Sequence, residues 1–228
     1  MSSRSMRSIC AAISVVLAVL LGATQASFGQ SDSPRAGNAA QGGIVAEAKC
    51  AACHGADGNS SDPHVPKLAG QISDYLYAQL RAYRKGSRKS EIMSAIVADL
   101  SDADMATVAS FYGRQSRKAD VVNDAGSAAI GERLFVAGMP SCAMCHGTFG
   151  RHSMPMGHMM GRDMMGHGMM GMMGSAPRLN GQHAAYVIDQ LNLFASGERS
   201  TPTMMRRIAA ALSENERRAV AEYLSGLH

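Results

Sequence analysis

Apolar side chains recur at helical spacing in two stretches of the chain. They fall three or four residues apart, which places them on one face of an α-helix. The positions are Ile72, Leu76, Leu80 and Tyr83 in the first stretch and Val187, Leu191 and Phe194 in the second. Gly86 and Gly197 follow, where glycine commonly ends a helix. Neither stretch shows the alternation of apolar and polar residues that indicates a strand, so the pattern predicts an all-α fold.

A second signal predicts one more helix after each stretch. Ser101 and Asp104 are three residues apart, as are Ser213 and Glu216. This is the spacing of a capping box, in which the two side chains bind the first free backbone groups of a helix. We therefore expect a last helix to begin at each serine.

These signals come in pairs because the sequence repeats itself. Three segments recur in the same order: 50–55 as 142–147, 66–86 as 177–197, and 92–112 as 204–224. The order indicates a duplicated domain. We expect a first repeat over 36–116 and a second repeat over 127–228, joined by a polar linker over 117–126.

The first 29 residues have the composition of a secretory signal peptide. Arg4 and Arg7 precede an apolar run from Ile9 to Leu21, and small residues follow it. The run is shorter than the roughly 20 residues that span a bilayer. Cleavage is therefore favoured over a retained anchor, and we expect an exported protein of the periplasm, with loose membrane association as an alternative.

Charge and size narrow the function classes. The net charge of +4 falls to +2 once Arg4 and Arg7 are removed, and this is too mild to predict nucleic-acid binding. Each repeat is small and has few aromatic side chains. A domain of fewer than about 100 residues with so little bulk usually needs a disulfide, a metal or a cofactor to be stable.

Each repeat carries the motif C-x-x-C-H, the attachment motif for c-type haem. The residues are Cys50, Cys53 and His54 in the first repeat and Cys142, Cys145 and His146 in the second. The thiols would form thioethers with the haem vinyl groups, and the histidine would bind the iron. A thioredoxin-like pair would need a βαβ setting, and a zinc site of four cysteines would leave both histidines unexplained. The motifs therefore predict two haem c groups.

A second axial ligand is needed in each repeat, and methionine suits an electron carrier. After His54 the first repeat offers Met93 and Met105, and Met105 lies on the last predicted helix, where a core position is the better interpretation. Alignment of the repeats places Met205 at the position of Met93. We predict Met93 and Met205 as the iron ligands, with ordinary core packing as the alternative.

Together the motifs resemble those of the cytochrome c4 family, the dihaem class I cytochromes c of the bacterial periplasm. The resemblance covers nearly all of the mature chain and is carried by CAACHGADGNS, PKLAGQ, PRLNGQHAAY, MMRRIAAALS and the terminal YLSGLH. It implies two tandem cytochrome c domains packed face to face, with the haems near the interface and His/Met ligation in both. It also implies that the carbonyl groups of Pro66 and Pro177 orient the proximal imidazoles.

The segment 150–174 departs from that family pattern. It holds ten methionines and three histidines among glycines, which favours a mobile surface loop. Thioethers suit Cu(I) and imidazoles help to bind Cu(II), so the segment is a candidate copper site. A docking surface, a sink for oxidants and an expansion without a task are alternatives. The candidate copper ligands are His152, Met154, Met156, His158, Met159, Met160, His167, Met169 and Met170.

The sequence thus predicts an electron carrier that passes single electrons between a respiratory donor and a terminal oxidase or reductase. We expect redox proteins as partners, membrane respiratory complexes among them, and neither nucleic acid nor a small-molecule substrate. No catalytic constellation is recognisable, and iron with both axial positions filled offers no open site. The alternatives are a dihaem enzyme or dehydrogenase subunit, and a copper-handling protein.

Two further groups of polar residues receive structural interpretations. A basic run is typical of a solvated helix face and turn, with steering of an acidic partner as the alternative. It consists of Arg81, Arg84, Lys85, Arg88 and Lys89. His64 and His183 have no counterpart in the other repeat. We expect them to be surface or local hydrogen-bonding groups.

Overall fold

The computed structural model describes residues 39–147 and 176–228. Helices and loops make up this part of the chain, which contains no strand, and the all-α prediction is confirmed. The first repeat contains α1 (Ala39–Lys49), α2 (Ala51–His54), α3 (Ser73–Arg84), α4 (Glu91–Ala98) and α5 (Asp102–Gly113). The second contains α6 (Ala125–Ala137), α7 (Ala143–His146), α8 (Ala184–Ser196), α9 (Thr203–Ala211) and α10 (Glu214–Ser225).

Two predicted segments lie outside the described residues: the signal peptide 1–29 and the Met/His-rich insert 150–174. Within 39–147 and 176–228, none of the helices combines the length and the apolar character needed to cross a bilayer.

The helix ends agree with the sequence signals. Ser101 and Ser213 both form complete capping boxes, at the starts of α5 and α10. Gly197 ends α8 in the left-handed conformation, and Gly86 has a positive φ just after α3. These signals depend only on contacts within a few residues of the chain, so the helix ends they predict do not depend on how the helices pack together.

The first and last helices of each repeat cross at a glycine that did not stand out in the sequence. A Cβ added at Gly42 of α1 would lie 2.2 Å from the carbonyl oxygen of Thr107 in α5. A Cβ at Gly131 of α6 would lie 1.9 Å from the carbonyl oxygen of Ala219 in α10. Only glycine permits these backbones to approach so closely, and the crossing sets the frame of each repeat.

The predicted apolar stripes line the two cores. Val187, Leu191 and Phe194 are buried in the second repeat together with Phe135 and other residues of α6, α9 and α10. In the first repeat Leu76 is buried, whereas Ile72, Leu80 and Tyr83 are half-buried. Met105 is fully buried, which confirms its interpretation as a core residue.

The linker lies along both repeats. Arg117 donates from Nε to the carbonyl oxygen of Ala69 at 2.7 Å and from Nη1 to that of Asn180 at 3.1 Å. The N–H of Asp120 donates to the carbonyl oxygen of Ser225 at 2.9 Å. The first linker residues are therefore hydrogen-bonded parts of the structure that hold the repeats together.

Candidate functional site

Each C-x-x-C-H motif folds into a single helical turn, α2 in the first repeat and α7 in the second. The N–H of His54 donates to the carbonyl oxygen of Cys50 at 2.9 Å, and the N–H of His146 donates to that of Cys142 at 3.0 Å. Gly55 follows at a φ of 81°, a conformation that favours glycine and ends the turn. Two thiols and an imidazole are thus grouped on one turn in each repeat.

Both imidazoles are buried and held by a backbone carbonyl group. Nδ1 of His54 lies 2.9 Å from the carbonyl oxygen of Pro66, and Nδ1 of His146 lies 2.9 Å from that of Pro177. A carbonyl oxygen can only accept, so Nδ1 carries the hydrogen and Nε2 keeps its lone pair. Burial lowers the pKa of both imidazoles and outweighs the hydrogen bond, which raises it. Each ring is therefore neutral and able to bind a metal through Nε2.

The cysteines have neither a disulfide partner nor the properties of a redox pair. Cys50, Cys53, Cys142 and Cys145 are all free thiols. Burial, with a smaller effect from Cys53, raises the pKa of the Cys50 thiol to about 11, and burial also raises the pKa of Cys142. Reactive C-x-x-C thiols have lowered pKa values. These thiols, in a part of the chain without strands, do not fit the thioredoxin-like alternative.

A zinc site is not supported either. Among the described residues, no group of three or more histidine, cysteine, aspartate or glutamate side chains is arranged to hold a metal ion. The four cysteines therefore do not converge on one tetrahedral centre. By contrast, two thiols and a neutral imidazole on each turn match the donor set of a covalently attached haem.

The two predicted methionine ligands occupy equivalent places. Met93 is the third residue of α4 and Met205 the third residue of α9. Both are half-buried, Met93 beside the cluster of Val97, Leu100 and Met105, and Met205 beside the core of the second repeat. Their ligand role stays a prediction, because the same placement suits core packing.

One member of the basic run was interpreted wrongly. Arg88 is only 8% exposed, and it reaches across to the second repeat, where Nη2 donates to the hydroxyl of Tyr186 and to Oε1 of Gln190, both at 2.9 Å. The chain turns back after α3, and this turn carries Arg88 away from the solvated face. Its counterpart Arg199 is 9% exposed and donates to Gln190 at 2.6 Å. Recurrence of this arginine in both repeats was the signal that could have identified it.

His183 joins the repeats through buried hydrogen bonds. It is 5% exposed, with Nδ1 2.6 Å from Oδ2 of Asp120 and Nε2 3.0 Å from both the hydroxyl and the carbonyl oxygen of Ser60. The order of side chains is that of a hydrolytic triad, but the Ser60 hydroxyl donates to backbone oxygens, including that of Val65. The group is structural and confirms the local hydrogen-bonding interpretation. His64 is exposed, with Nδ1 2.7 Å from Oδ2 of Asp189.

Comparisons with known proteins agree with this geometry. The family model for cytochrome c matches residues 39–113 and 128–228. Cytochrome c4 of Pseudomonas aeruginosa is 38% identical over 201 residues, which are 85% of this chain and 90% of that protein. A thiosulfate dehydrogenase electron acceptor of Stutzerimonas stutzeri is 34% identical over 78% of each chain.

A solved structure shows the same fold. The crystal structure of reduced recombinant cytochrome c4 from Pseudomonas stutzeri matches with a TM-score of 0.70 and 34% sequence identity. The match covers 85% of this chain and all of that one. The similarity therefore extends over both repeats.

Proposed function

The chain belongs to the cytochrome c4 family, and from that membership we propose how its two repeats hold haem and transfer electrons. The protein is a dihaem c-type cytochrome that carries electrons. The haem iron supplies reversible one-electron exchange. The protein supplies attachment, axial ligands and a buried setting, which together determine the reduction potential.

Each repeat forms one cytochrome c domain in this proposal, the first over 36–116 and the second over 127–228, with 117–126 as the linker. The four motif cysteines would form the thioethers, His54 and His146 would bind iron through Nε2, and Met93 and Met205 would each supply a second ligand to it. Pro66 and Pro177 fix the imidazoles through Nδ1. Two protein ligands to each iron would leave no coordination site for a substrate, which favours a carrier over an enzyme.

One observation carries the proposal. In both repeats a buried, neutral imidazole donates from Nδ1 to a proline carbonyl oxygen at the same distance of 2.9 Å. An imidazole fixed in this way has one tautomer, one orientation and a free Nε2 lone pair. The arrangement is typical of a metal-binding histidine, and in both repeats it occurs on the turn that carries the two motif cysteines.

Its partners are redox proteins. The relative named as a thiosulfate dehydrogenase electron acceptor suggests a dehydrogenase as one class of donor. Membrane respiratory complexes are the acceptors in this proposal, and the periplasm is the location. The signal-like residues 1–29 support export, and thioether attachment of haem fits that compartment.

Intact-mass spectrometry and an anaerobic redox titration followed by visible spectra test the proposal. Protein made in a host that matures c-type cytochromes should gain the mass of two haems. Both haems should be low-spin, with the absorption band of methionine-bound iron. Met93→Ala and Met205→Ala should each remove that band from one haem. A gain of one haem or none contradicts the proposal, and a high-spin haem with rapid cyanide binding would indicate the enzyme alternative.

A further inference from the structure

The peptide group next to the proximal histidine of the first repeat is bound by the second repeat. The Pro66 carbonyl oxygen that lies 2.9 Å from Nδ1 of His54 belongs to the peptide joining Pro66 to Lys67. The N–H of that same peptide donates to Oε1 of Gln182 at 2.9 Å. A side chain of the second repeat therefore binds the group that accepts the hydrogen bond of the first imidazole.

The same arrangement recurs with the roles exchanged. Nδ1 of His146 lies 2.9 Å from the carbonyl oxygen of Pro177. The N–H of the Pro177–Arg178 peptide donates to Oε1 of Gln71, a residue of the first repeat, at 2.8 Å. Gln71 and Gln182 occupy equivalent positions in the two repeats, so the two contacts are related by the duplication.

Both glutamines are buried, and the oxygen and nitrogen of each amide form hydrogen bonds. Nε2 of Gln182 donates to the carbonyl oxygen of Lys67 at 3.0 Å, and Nε2 of Gln71 donates to that of Arg178 at 2.8 Å. In each case Oε1 also accepts from the N–H of the residue that follows the glutamine, at 3.0 Å. Both side chains are 5% exposed. Their amides cannot rotate without losing several buried hydrogen bonds.

In each repeat the imidazole, the peptide group after the proline and the glutamine of the other repeat form a chain of hydrogen bonds through one conjugated peptide. An acceptor on the peptide N–H increases the negative charge on the carbonyl oxygen of the same peptide, because the amide is delocalised and hydrogen bonds in a chain strengthen one another. A stronger acceptor at Nδ1 makes the imidazole a more basic ligand. A more basic ligand stabilises oxidised iron relative to reduced iron, so it lowers the midpoint potential.

Given the proposed function, we propose that Gln71 and Gln182 are reciprocal positioning residues. Gln71 lowers the midpoint potential of the haem in the second repeat, and Gln182 lowers that of the haem in the first. Each repeat thus lowers the midpoint potential of the haem in the other repeat, through the proximal histidine of that other repeat.

The variants Gln71→Met and Gln182→Met of the full holoprotein test this inference. Methionine has a similar length and shape, replaces the amide oxygen with a much weaker acceptor and also removes the amide donor. We expect Gln71→Met to change the reduction equilibrium constant of the second haem roughly threefold towards the reduced form, which is a rise of about 30 mV for a one-electron couple. The first haem should be unchanged, and Gln182→Met should give the mirror result.

Spectroelectrochemistry gives the two midpoint potentials, and haem methyl NMR signals identify which haem each belongs to. Met93→His and Met205→His, which each alter one haem, assign those signals to the repeats. Gln190→Met is the matched control, because this interface glutamine accepts from Arg88 and Arg199 and does not contact either peptide. It should not raise the potential of one haem while leaving the other unchanged.

A second pair of variants separates positioning from simple loosening. Gln71→Glu and Gln182→Glu keep an acceptor for the peptide N–H, so the affected haem should stay at or below its original potential. Gln71→Asn and Gln182→Asn have amides too short to span the contact, and they should repeat the crossed rise if the methionine variants do not fold.

Three results would overturn the inference: a shift in the haem of the mutated repeat, an equal shift in both haems, or no shift in either. A glutamate variant that behaves like the methionine variant would overturn it too. Failure of the proposed function itself is distinguishable, because it would appear as fewer than two haems in the intact mass of the unmodified protein.

Discussion

Asp120 shows how one linker side chain is controlled by its surroundings. Its carboxylate lies 2.6 Å from Nδ1 of His183 and accepts from the N–H of Val121 at 3.0 Å. Burial raises the pKa of Asp120. These hydrogen bonds and the charge of Lys67 lower the pKa by more than burial raises it, so it lies below its ordinary value. The folded protein therefore holds this carboxylate in its charged form more strongly than the unfolded chain does.

This difference predicts a dependence of stability on pH. The folded carboxylate binds fewer protons than the unfolded one, so its contribution is present above the ordinary pKa and is lost as pH falls through the folded pKa. We expect Asp120→Asn to lower the free energy of unfolding by about 1–2 kcal/mol near neutral pH. The variant should also lose less stability than the unmodified protein as the pH falls below about 5.

Chemical denaturation of the holoprotein at several pH values measures both effects. Asp99→Asn is a suitable control, because Asp99 is an exposed residue at the end of α4. It should leave the pH dependence as it is. If Asp120→Asn has the same pH dependence as the unmodified protein, the explanation is wrong.

At the scale of elements, the crossing of first and last helices depends on glycine. We expect Gly42→Ala to destabilise the protein by roughly 1–3 kcal/mol, because the new Cβ would overlap a backbone oxygen that cannot move without displacing α5. Gly131→Ala should do the same in the second repeat. Denaturant midpoints measure the change.

The neighbouring glycine provides the control for that prediction. A Cβ at Gly43 would lie 3.4 Å from the ring of Phe111, which is close to an ordinary contact. Alanine also favours a helix over glycine by about 1 kcal/mol. Gly43→Ala should therefore be neutral or stabilising, and equal losses at Gly42 and Gly43 would contradict the close-approach argument.

The insert 150–174 gives a prediction from ligand chemistry alone. Its thioethers and imidazoles are chemically able to bind copper. On the copper hypothesis, deletion of 152–173 should weaken Cu(I) binding measured against a competing chelator. Equal affinity with and without the segment would refute that hypothesis. The deletion should leave the methionine–iron absorption band of both haems intact, because the first repeat has no such insert.

At the scale of the whole molecule, polar contacts join the repeats. Burial, with the neighbouring charge of Arg178, lowers the pKa of Arg117 to about 10, and this guanidinium spans both repeats. We expect thermal unfolding of the holoprotein in one cooperative transition. Arg117→Met should lower stability by about 2 kcal/mol, or roughly 4–8 °C in the midpoint.

Differential scanning calorimetry tests this prediction, and Arg114→Met provides the control, because Arg114 is exposed. Two separate transitions in the unmodified protein would show that the repeats unfold independently. The interface would then contribute little to stability.

The sequence predicted the elements better than it predicted the interface. Capping boxes, helix-ending glycines and the C-x-x-C-H turns depend on neighbours within a few residues, and each was found where expected. Arg88 and the two interface glutamines depend on groups about 100 residues away, and a pattern along the chain carries no direct record of such contacts. Their recurrence at equivalent positions was the available signal, and it indicated duplication without indicating contact.

The shared peptides have a consequence for work on fragments of this protein. A polypeptide containing only residues 36–116 would keep His54 and Pro66 but would lack Gln182, and the Lys67 N–H would then bind water. The midpoint potential of its haem would be that of the fragment and not that of the first haem in the whole protein. If the glutamines act as proposed, the midpoint potentials of the separated halves will therefore differ from those of the same haems in the whole protein.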